Sequence, residues 1–423
     1  MKRIKTLLTN KMVQDGVLSI GAKVIFFLTL KFLIEPWMNV RMGDAGFGHY
    51  VLVLGYISIL AYSFGEALNH IRVLNQEHDI RRAAQYRVIA LTEAGITFFV
   101  LFVYALIVER DNAINAGMLG FAGALMMLRL YSECMFRIEI NYKRILLSSV
   151  LMAGGYLLGY LMFTQGAPWY VILILGEAAA VLYAGIAGKA FRAQADRKAA
   201  GLGDAFQRLF QVGENFWLTL KNTVTLTSSY IVSYVLIYMD RLLVAFLLND
   251  ELVSIYYIST TYGKCVALVI PPITAVLLSN ISKGLIQLDR KMVNRVVAGS
   301  LGAVLLFFVA GIPASRIMIY ILYPDSFEAC QPIMDIGNLS QIVYYSCSIV
   351  NMMAIRLCPM KLQVKVETGY AILFIVAAYV GAKSFGLPGL AVGTLLANVT
   401  RFLMLTIPVY RQVGRAERAQ AVE

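Results

Sequence analysis

The residues of this chain best placed to do chemistry are charged side chains inside long apolar stretches. In VSYVLIYMDRLLVAFLL, Val232 to Leu248, Asp240 and Arg241 stand side by side and no other charged residue is present. A buried charge is costly unless it is paired or hydrogen-bonded. Such groups can therefore bind an oppositely charged ligand, form a structural ion pair, or take up and release a proton.

Helices in lipid are the elements that must position these charges. Of the 423 residues, 59% are hydrophobic and only 15% are charged, which is too few to cover the surface of a soluble protein of this size. A helix needs about 20 mostly apolar residues to cross a bilayer, and such runs predict an all-α polytopic membrane protein. We predict twelve spans: Gly16–Ile34, Gly46–Leu68, Val88–Val108, Ala116–Phe136, Ile145–Phe163, Pro168–Gly188, Phe216–Leu248, Leu252–Ile281, Val296–Tyr323, Gln331–Ile355, Val366–Phe385 and Pro388–Tyr410.

The basic residues indicate the orientation. Of the 37 Lys and Arg, 26 lie in the N-terminus, the even-numbered connectors and the C-terminal tail, and eight lie inside spans. The opposite side holds only three others: Arg41 and Arg110 in odd-numbered connectors, and Lys383 at the end of the eleventh span. Positive residues accumulate on the cytoplasmic side, so we predict that both termini are cytoplasmic. The net charge of +12 is then a topology signal, and nucleic acid is not an expected partner.

Four basic side chains lie deep enough in their spans to line a polar interior. A basic residue at the bilayer centre costs roughly 2.5 to 3.5 kcal/mol on insertion scales, so it must face protein or water. Lys23 and Lys264 are the strongest candidates for a cationic cavity lining, and Arg401 is also deep. Arg129 is equally deep, but Glu133 follows at the i, i+4 spacing of an internal ion pair.

The other basic residues in spans extend this candidate substrate-binding set. Arg241 belongs to it through its place in the seventh span. Three more lie close enough to span ends that a long side chain could either reach the interface or face a cavity: these are Lys31, Lys221 and Arg316.

Two deep acids are candidates for ion coupling. Asp240 lies about 12 Å from the outer end of its span, counting ~1.5 Å of rise per residue, and Glu177 is central in the sixth. Asp240 and Lys264 differ in depth by only ~6 Å. Asp240 could therefore either lock two helices through an ion pair or act as an acid whose partner changes during a functional cycle.

Two patterns each allow two interpretations. Tyr230, Tyr234 and Tyr238 repeat every four residues, which suits either stacking on sugars or packing between helices. The pair Gly154-Gly155 allows either a bend or a fixed kink in the fifth span.

An internal repeat predicts the domain organisation. The turns MGDAGFGHY and LNDELVSIYY each lead into a long helix through an aromatic residue, Tyr50 and Tyr257, 207 residues apart. The long basic connector falls near the midpoint. We predict two six-helix bundles, residues 1–205 and 206–423.

These motifs resemble the polysaccharide-transporter branch of the MOP exporter superfamily. The resemblance rests on GDAGFGHY, on the Asp of the seventh span followed by SIYYISTTYGK, PP and LLSNISK, and on FGLPGLAVGTLLANVTRF, spread over the whole chain. Where that family usually has Gly and Ala around the tyrosines, this chain has Ser254 and Ser259. The resemblance implies two bundles splayed as a V around a central cavity.

The resemblance also implies a function. Members of this branch are flippases that move polyprenyl-diphosphate-linked oligosaccharide repeat units for O-antigen and capsule across the bacterial cytoplasmic (inner) membrane. The expected partners are that lipid-linked oligosaccharide, membrane lipids, H⁺ or Na⁺, and polysaccharide-assembly proteins.

Other functions remain open at this point. An ion-coupled multidrug or metabolite antiporter of the same superfamily would share the twelve helices, but it would prefer acidic cavity residues to Lys23 and Lys264. A membrane glycan polymerase needs a sizeable loop with acid and base residues, and the outer connectors are about a dozen residues or fewer. We predict no enzymatic activity, no cofactor and no metal site, because no phosphate loop and no Cys or His ligand spacing occurs.

Overall fold

The computed structural model of the chain describes residues 11–74, 79–188, 216–270, 274 and 289–420. Within these ranges the chain is helical and contains no β-strand. The elements in chain order are α1 (Lys11–Phe27), a π-helical segment (Leu28–Ile34), α2 (Glu35–Leu74), α3 (Asp79–Ile107), α4 (Ala113–Ile138), α5 (Tyr142–Thr164), α6 (Tyr170–Gly188), α7 (Phe216–Leu247), α8 (Asp250–Ser259), α9 (Thr261–Cys265), α10 (Arg290–Leu322), α11 (Phe327–Leu357) and α12 (Met360–Gln420). Short 3₁₀ turns cover Val266–Leu268 and Pro324–Ser326.

Most of these helices are suited to a membrane. In the described ranges, eight helical stretches are long and apolar enough to cross a bilayer. Two of them, Val17–Leu74 and Lys361–Arg415, have 58 and 55 residues. At ~1.5 Å per residue each is long enough for two crossings of a core ~30 Å thick. The prediction of an all-α polytopic membrane protein is confirmed.

Glycines divide the two longest helices. Gly43 (φ 69°) interrupts α2 before the predicted second span, and Gly386 (φ 62°) interrupts α12 together with the non-helical Phe385. Side chains rarely tolerate a positive φ, whereas glycine adopts it without steric cost. The break in α12 falls at the predicted boundary between the eleventh and twelfth spans.

The eighth span differs from the continuous helix that we predicted. The chain is helical from Asp250 to Ser259, restarts as the short α9, and continues into the 3₁₀ turn at Val266–Leu268. Ser259, Thr260 and Thr261 each donate a side-chain hydrogen bond to a carbonyl oxygen four residues earlier. Such bonds compete with the helical ladder and bend helices, which accounts for the break. The predicted end at Ile281 lies outside the described residues.

The chain divides into two compact units. Unit 1 comprises residues 1–37 and 53–238, and unit 2 comprises residues 38–52 and 239–423. The stretch Met38–Leu52 of α2 therefore belongs to unit 2, and α7 passes from one unit to the other between Tyr238 and Met239. The predicted domain boundary between residues 205 and 206 lies outside the described residues.

Close helix packing in both units depends on small residues. In unit 1, Gly155 and Gly159 of α5 lie against the backbone of α6 around Leu175 and Ile172. In unit 2, Gly381 lies against the backbone of Gly389 across the break in α12. Small residues let helix backbones approach in membranes, where apolar side chains gain little by leaving lipid. The pair Gly154-Gly155, for which we allowed a bend or a fixed kink, lies within one continuous helix, and Gly155 is a packing contact.

The two matched turns of the repeat pack together inside unit 2. Phe47 lies 5.6 Å from Tyr50 and 6.0 Å from Tyr257, measured between ring centroids. Gly48 lies against the backbone carbonyl of Asp250, where a side chain would collide. The aromatic residues that revealed the repeat in the sequence therefore form one buried cluster.

Candidate functional site

Two cations share one aromatic ring in unit 2. The guanidinium carbon of Arg241 and the Nζ of Lys264 each lie 4.6 Å from the ring centroid of Tyr257. Tyr257 is only 2% exposed, and cations near a tyrosine face are attracted by its quadrupole. The two cationic groups can be no farther apart than about 9 Å, twice the distance of each from the ring. Residues that stand 23 positions apart in the sequence thus form one positive site.

The break in the eighth span positions this site. Tyr257 lies on α8, before the interruption at Thr260, and Lys264 lies on α9, after it. Gly263 lets α9 approach α11, where Asn338 accepts a hydrogen bond from the Gly263 N–H at 2.8 Å. The polar residues that interrupt the helix therefore also fix the direction of Lys264 relative to the ring.

Asp240 completes the polar region of unit 2. Its side chain is 4% exposed, and its oxygens accept hydrogen bonds from the backbone N–H of Arg241 at 2.8 Å and from Gln341 at 3.4 Å. One of the two donors is therefore a neutral amide of α11, and the pairing of Asp240 with a cation of a neighbouring helix stays a prediction. The arrangement keeps a buried carboxylate beside Arg241, which leaves its role as an ion-coupling residue a prediction.

A second charged cluster lies inside unit 1. The structure contains the Arg129–Glu133 ion pair that the spacing predicts, at 3.2 Å, and it adds Glu177 of α6 at 2.5 Å from Arg129 Nε. Tyr156 donates to Glu177 at 2.8 Å and Ser148 donates to Glu133 at 3.1 Å. Glu177, a candidate for ion coupling, is therefore the second carboxylate of one guanidinium.

The two lysines of the first span have different surroundings. Lys23 is exposed on α1. Lys31, in the π-helical segment, forms an ion pair at 2.5 Å with Glu35, which is 1% exposed. Lys31 is therefore held by a carboxylate one turn away.

The remaining predicted residues lie apart from these clusters. Arg316 pairs with Asp335 at 2.7 Å on the exposed surface of unit 2. Arg401 pairs with Glu367 at 2.8 Å and lies 4.7 Å from the ring of Tyr370. Lys221 is exposed near the start of α7.

The tyrosine stripe of α7 packs against α2. The rings of Tyr230 and Tyr234 are stacked at 6.3 Å, and Tyr62 stacks on Tyr234 at 5.5 Å. The Tyr230 hydroxyl lies 3.3 Å from His70 Nδ1. For these two tyrosines the structure favours helix packing over an open stacking surface.

Solved structures of membrane transporters are similar to this chain over most of its length. No family model matches the sequence, and no curated protein matches it significantly. A structure described as an inward-facing multidrug resistance MATE family transporter of the MOP superfamily aligns with a TM-score of 0.62 at 12% identity, covering 96% of this chain and 95% of that chain. The lipid II flippase MurJ, in an inward closed conformation, aligns with a TM-score of 0.61 at 15% identity, covering 96% of this chain and 87% of MurJ.

The chain has the fold of the MOP-superfamily transporters. A MOP transporter from Pyrococcus furiosus, described by the reverse polarity of its binding pocket, also aligns, with a TM-score of 0.59 at 12% identity over 95% of both chains. Transporters with this fold have about twelve transmembrane helices. Because this one fold serves both a lipid flippase and multidrug transporters, it does not by itself choose between them.

Within this MOP fold, the sequence reasoning missed two buried acids and one half-buried acid. Glu35 is recognisable in retrospect by its i, i+4 spacing from Lys31. Glu93 is 6% exposed within α3, although its position near a span end suggests a solvated side chain. Asp44, in the first matched turn, accepts hydrogen bonds through Oδ1 from Asn39 at 2.9 Å and from Ser254 at 3.1 Å. It also accepts one from Ser326 at 2.7 Å.

Proposed function

We propose that this protein is a flippase that moves polyprenyl-diphosphate-linked oligosaccharide repeat units across the cytoplasmic membrane for surface polysaccharide such as O-antigen or capsule. It is a transporter rather than an enzyme, and both termini are cytoplasmic. The proposal places the sugar-diphosphate headgroup inside the protein while the prenyl chain stays in lipid.

The cation pair around Tyr257 carries this proposal. A diphosphate presents several negatively charged oxygens within a few ångströms, and ammonium and guanidinium groups are the side chains that bind it. Arg241 and Lys264 supply one of each within about 9 Å, against a buried ring. Basic groups within an apolar span face protein or water, and an anionic ligand that contacts both groups would stabilise them together.

The other basic residues take supporting roles. We assign Lys23, which is exposed on α1, to the polar path of the headgroup, together with Lys221. Ion pairs hold the remaining members of the predicted set, so we assign these to structure around the path: Arg129, Lys31, Arg316 and Arg401.

The membrane potential favours the proposed direction of transport. An inside-negative potential contributes ~2.3 kcal/mol per charge per 100 mV toward outward movement of an anion. We assign Asp240 and Glu177 to ion coupling, because each is a buried carboxylate within a span.

The test is a deletion strain analysed by mass spectrometry of its lipid-linked oligosaccharides. We expect the repeat unit to accumulate on the cytoplasmic leaflet while surface glycan disappears. Complementation with Lys264→Ala or Arg241→Ala is expected to restore less than a tenth of the glycan at equal protein level, whereas Lys291→Ala, which removes an exposed lysine of unit 2, restores it fully. Unchanged surface glycan in the deletion strain would refute the function.

An ion-coupled multidrug antiporter is the second candidate. It is favoured by the excess of buried acids in unit 1, since a cationic drug needs acidic partners, and by the fold shared with MATE transporters. In the same deletion strain, hypersensitivity to cationic dyes with normal surface glycan would select this alternative. Normal dye sensitivity with lost glycan would exclude it.

A further inference from the structure

One face of α7 is polar and exposed, although this helix is apolar and long enough to cross a membrane. We name it the hydroxyl face, and its exposed side chains are Lys221, Asn222, Thr225, Ser228, Ser229 and Ser233. At about 100° per residue they occupy an arc of about 140°. Surfaces that contact lipid are ordinarily apolar, because hydrocarbon offers no hydrogen-bond partner. The hydroxyl face must therefore line water or contact a polar ligand.

The depth of this face excludes an ordinary solvated helix end. Trp217 is 76% exposed near the start of α7, and exposed tryptophans are typical of the headgroup level. From Trp217 to the end of α7 at Leu247 the helix rises ~45 Å, which matches a bilayer with both headgroup layers. Ser229 and Ser233 lie ~18 and ~24 Å along the axis from Trp217. Solvent beyond the membrane therefore does not account for these two hydroxyls.

The hydroxyl groups of this face can accept hydrogen bonds. Thr225, Ser228 and Ser233 donate to carbonyl oxygens of α7 itself, at 2.8, 2.8 and 3.0 Å. A hydroxyl oxygen that donates in this way keeps lone pairs, so it can accept a hydrogen bond from a ligand. Among the six residues of the face there is no carboxylate for a cation, and one ammonium group for an anion. The face thus suits a neutral ligand rich in hydroxyls, which is the chemistry of a sugar.

The opposite side of α7 carries the hydroxyls that serve packing. Thr219, Thr223 and Thr227 are 4%, 0% and 5% exposed. Thr223 donates to the carbonyl oxygen of Thr219 at 2.9 Å. Because packing already uses this buried stripe, it does not explain the exposed hydroxyls on the other side of the helix.

A second copy of the chain fits the hydroxyl face less well than a sugar does. Hydroxyl residues four positions apart, such as Thr225 and Ser229, can join two membrane helices. In a twofold dimer of parallel α7 helices, however, the two Lys221 ammonium groups would lie beside the same seam, where like charges repel. The arc of the face is also wider than the narrow stripe of such a seam.

We propose that the hydroxyl face of α7 binds the sugars of the transported lipid-linked oligosaccharide. The cations around Tyr257 take the diphosphate, and the hydroxyl face accepts hydrogen bonds from the neutral sugars. The identity of this ligand rests on the proposed function, whereas the contact of the face with water does not.

Cysteine labelling of the purified protein in phospholipid nanodiscs tests the contact with water. Ser229→Cys should react with a charged, membrane-impermeant thiol reagent about tenfold faster than Leu182→Cys, because a thiol in an apolar environment does not form the reactive thiolate. Leu182 is 65% exposed on α6 and supplies the matched apolar position. The wild-type protein gives the background from the native cysteines. Equal rates for the two variants would overturn the hydroxyl face.

The second measurement adds a lipid-linked oligosaccharide pool extracted from the native strain, either intact or after mild acid hydrolysis, which releases the sugars. We expect the intact pool to slow labelling of Ser229→Cys severalfold and the hydrolysed pool to leave the rate unchanged. Equal effects of the two pools, or no effect of the intact pool, would overturn the sugar site. Disulfide formation between two copies of Ser229→Cys in native membranes would also overturn it and would select the second copy.

Thermal unfolding separates a failure of this inference from a failure of the proposed function. If the intact pool raises the thermal midpoint of the wild-type protein without protecting Ser229→Cys, the sugar site is wrong and the flippase function stands. Normal surface glycan in the deletion strain refutes the flippase function, whatever the labelling shows.

Discussion

Arg129→Gln should be among the most destabilising single changes in unit 1. The substitution removes the cation between two buried carboxylates, which Arg129 contacts at 2.5 and 3.2 Å. At an effective dielectric constant of about 20, these separations correspond to gross attractions of about 7 and 5 kcal/mol. Desolvation offsets most of this, and breaking comparable buried pairs costs about 3–5 kcal/mol.

The assay is thermal unfolding of the purified protein followed by size-exclusion chromatography. A loss of 3–5 kcal/mol lowers the midpoint by on the order of 10 °C in a domain of about 200 residues. The control is Arg144→Gln, which breaks the exposed pair with Glu139 and should change the midpoint by less than 2 °C, since exposed pairs contribute about 0–1 kcal/mol. Adding Glu133→Gln and Glu177→Gln to Arg129→Gln should recover stability. Equal midpoints for Arg129→Gln and Arg144→Gln would refute this account of the cluster.

Three further predictions follow from packing and hydrogen bonding. Gly155→Ala should destabilise the protein by about 1–3 kcal/mol, because the added Cβ would meet the backbone of α6. The control Gly154→Ala, whose Cβ meets nothing within 4 Å, should be neutral or stabilising. Equal thermal midpoints for the two variants would contradict the packing. Asp44→Ala should lower the free energy of unfolding by on the order of 3 kcal/mol, because it removes the acceptor of three hydrogen bonds. In the same thermal unfolding assay, the control Glu251→Ala, at an exposed acid, should leave the midpoint unchanged. Tyr257→Phe should restore surface glycan in the complementation assay, because only the aromatic ring is required, whereas Tyr257→Leu should reduce the glycan severalfold. More glycan with Tyr257→Leu than with Tyr257→Phe would exclude the cation–π site.

Local spacing predicted the parts of the structure that depend on one helix. The i, i+4 relation of Arg129 and Glu133 gave their ion pair, and the runs of apolar residues gave the all-α membrane fold. Glu177 could not be paired in advance, because its partner lies 48 residues away on a helix whose rotation is set by packing.

The break in the eighth span and the contacts of Asp44 were not predicted, because the sequence contains only a weak signal for their physical causes. Three consecutive hydroxyl residues, Ser259 to Thr261, interrupt the eighth span, and their effect depends on side chains turning back to the carbonyls. Hydropathy alone predicts a continuous helix there. Likewise the sequence pattern indicates an ordinary turn residue at Asp44, and only the fold brings Ser254 and Ser326 to it from distant segments.

The break between Tyr257 and Lys264 ties ligand affinity to helix geometry. In a continuous helix Lys264, seven residues after Tyr257, would lie on the same face about 10 Å farther along the axis at ~1.5 Å per residue, so straightening the chain at Thr260 would change the distance between the ammonium group and the ring. An anion that binds both cations must therefore favour the broken form of the eighth span. By thermodynamic reciprocity, any ligand or substitution that favours the broken form must raise the affinity for the anion.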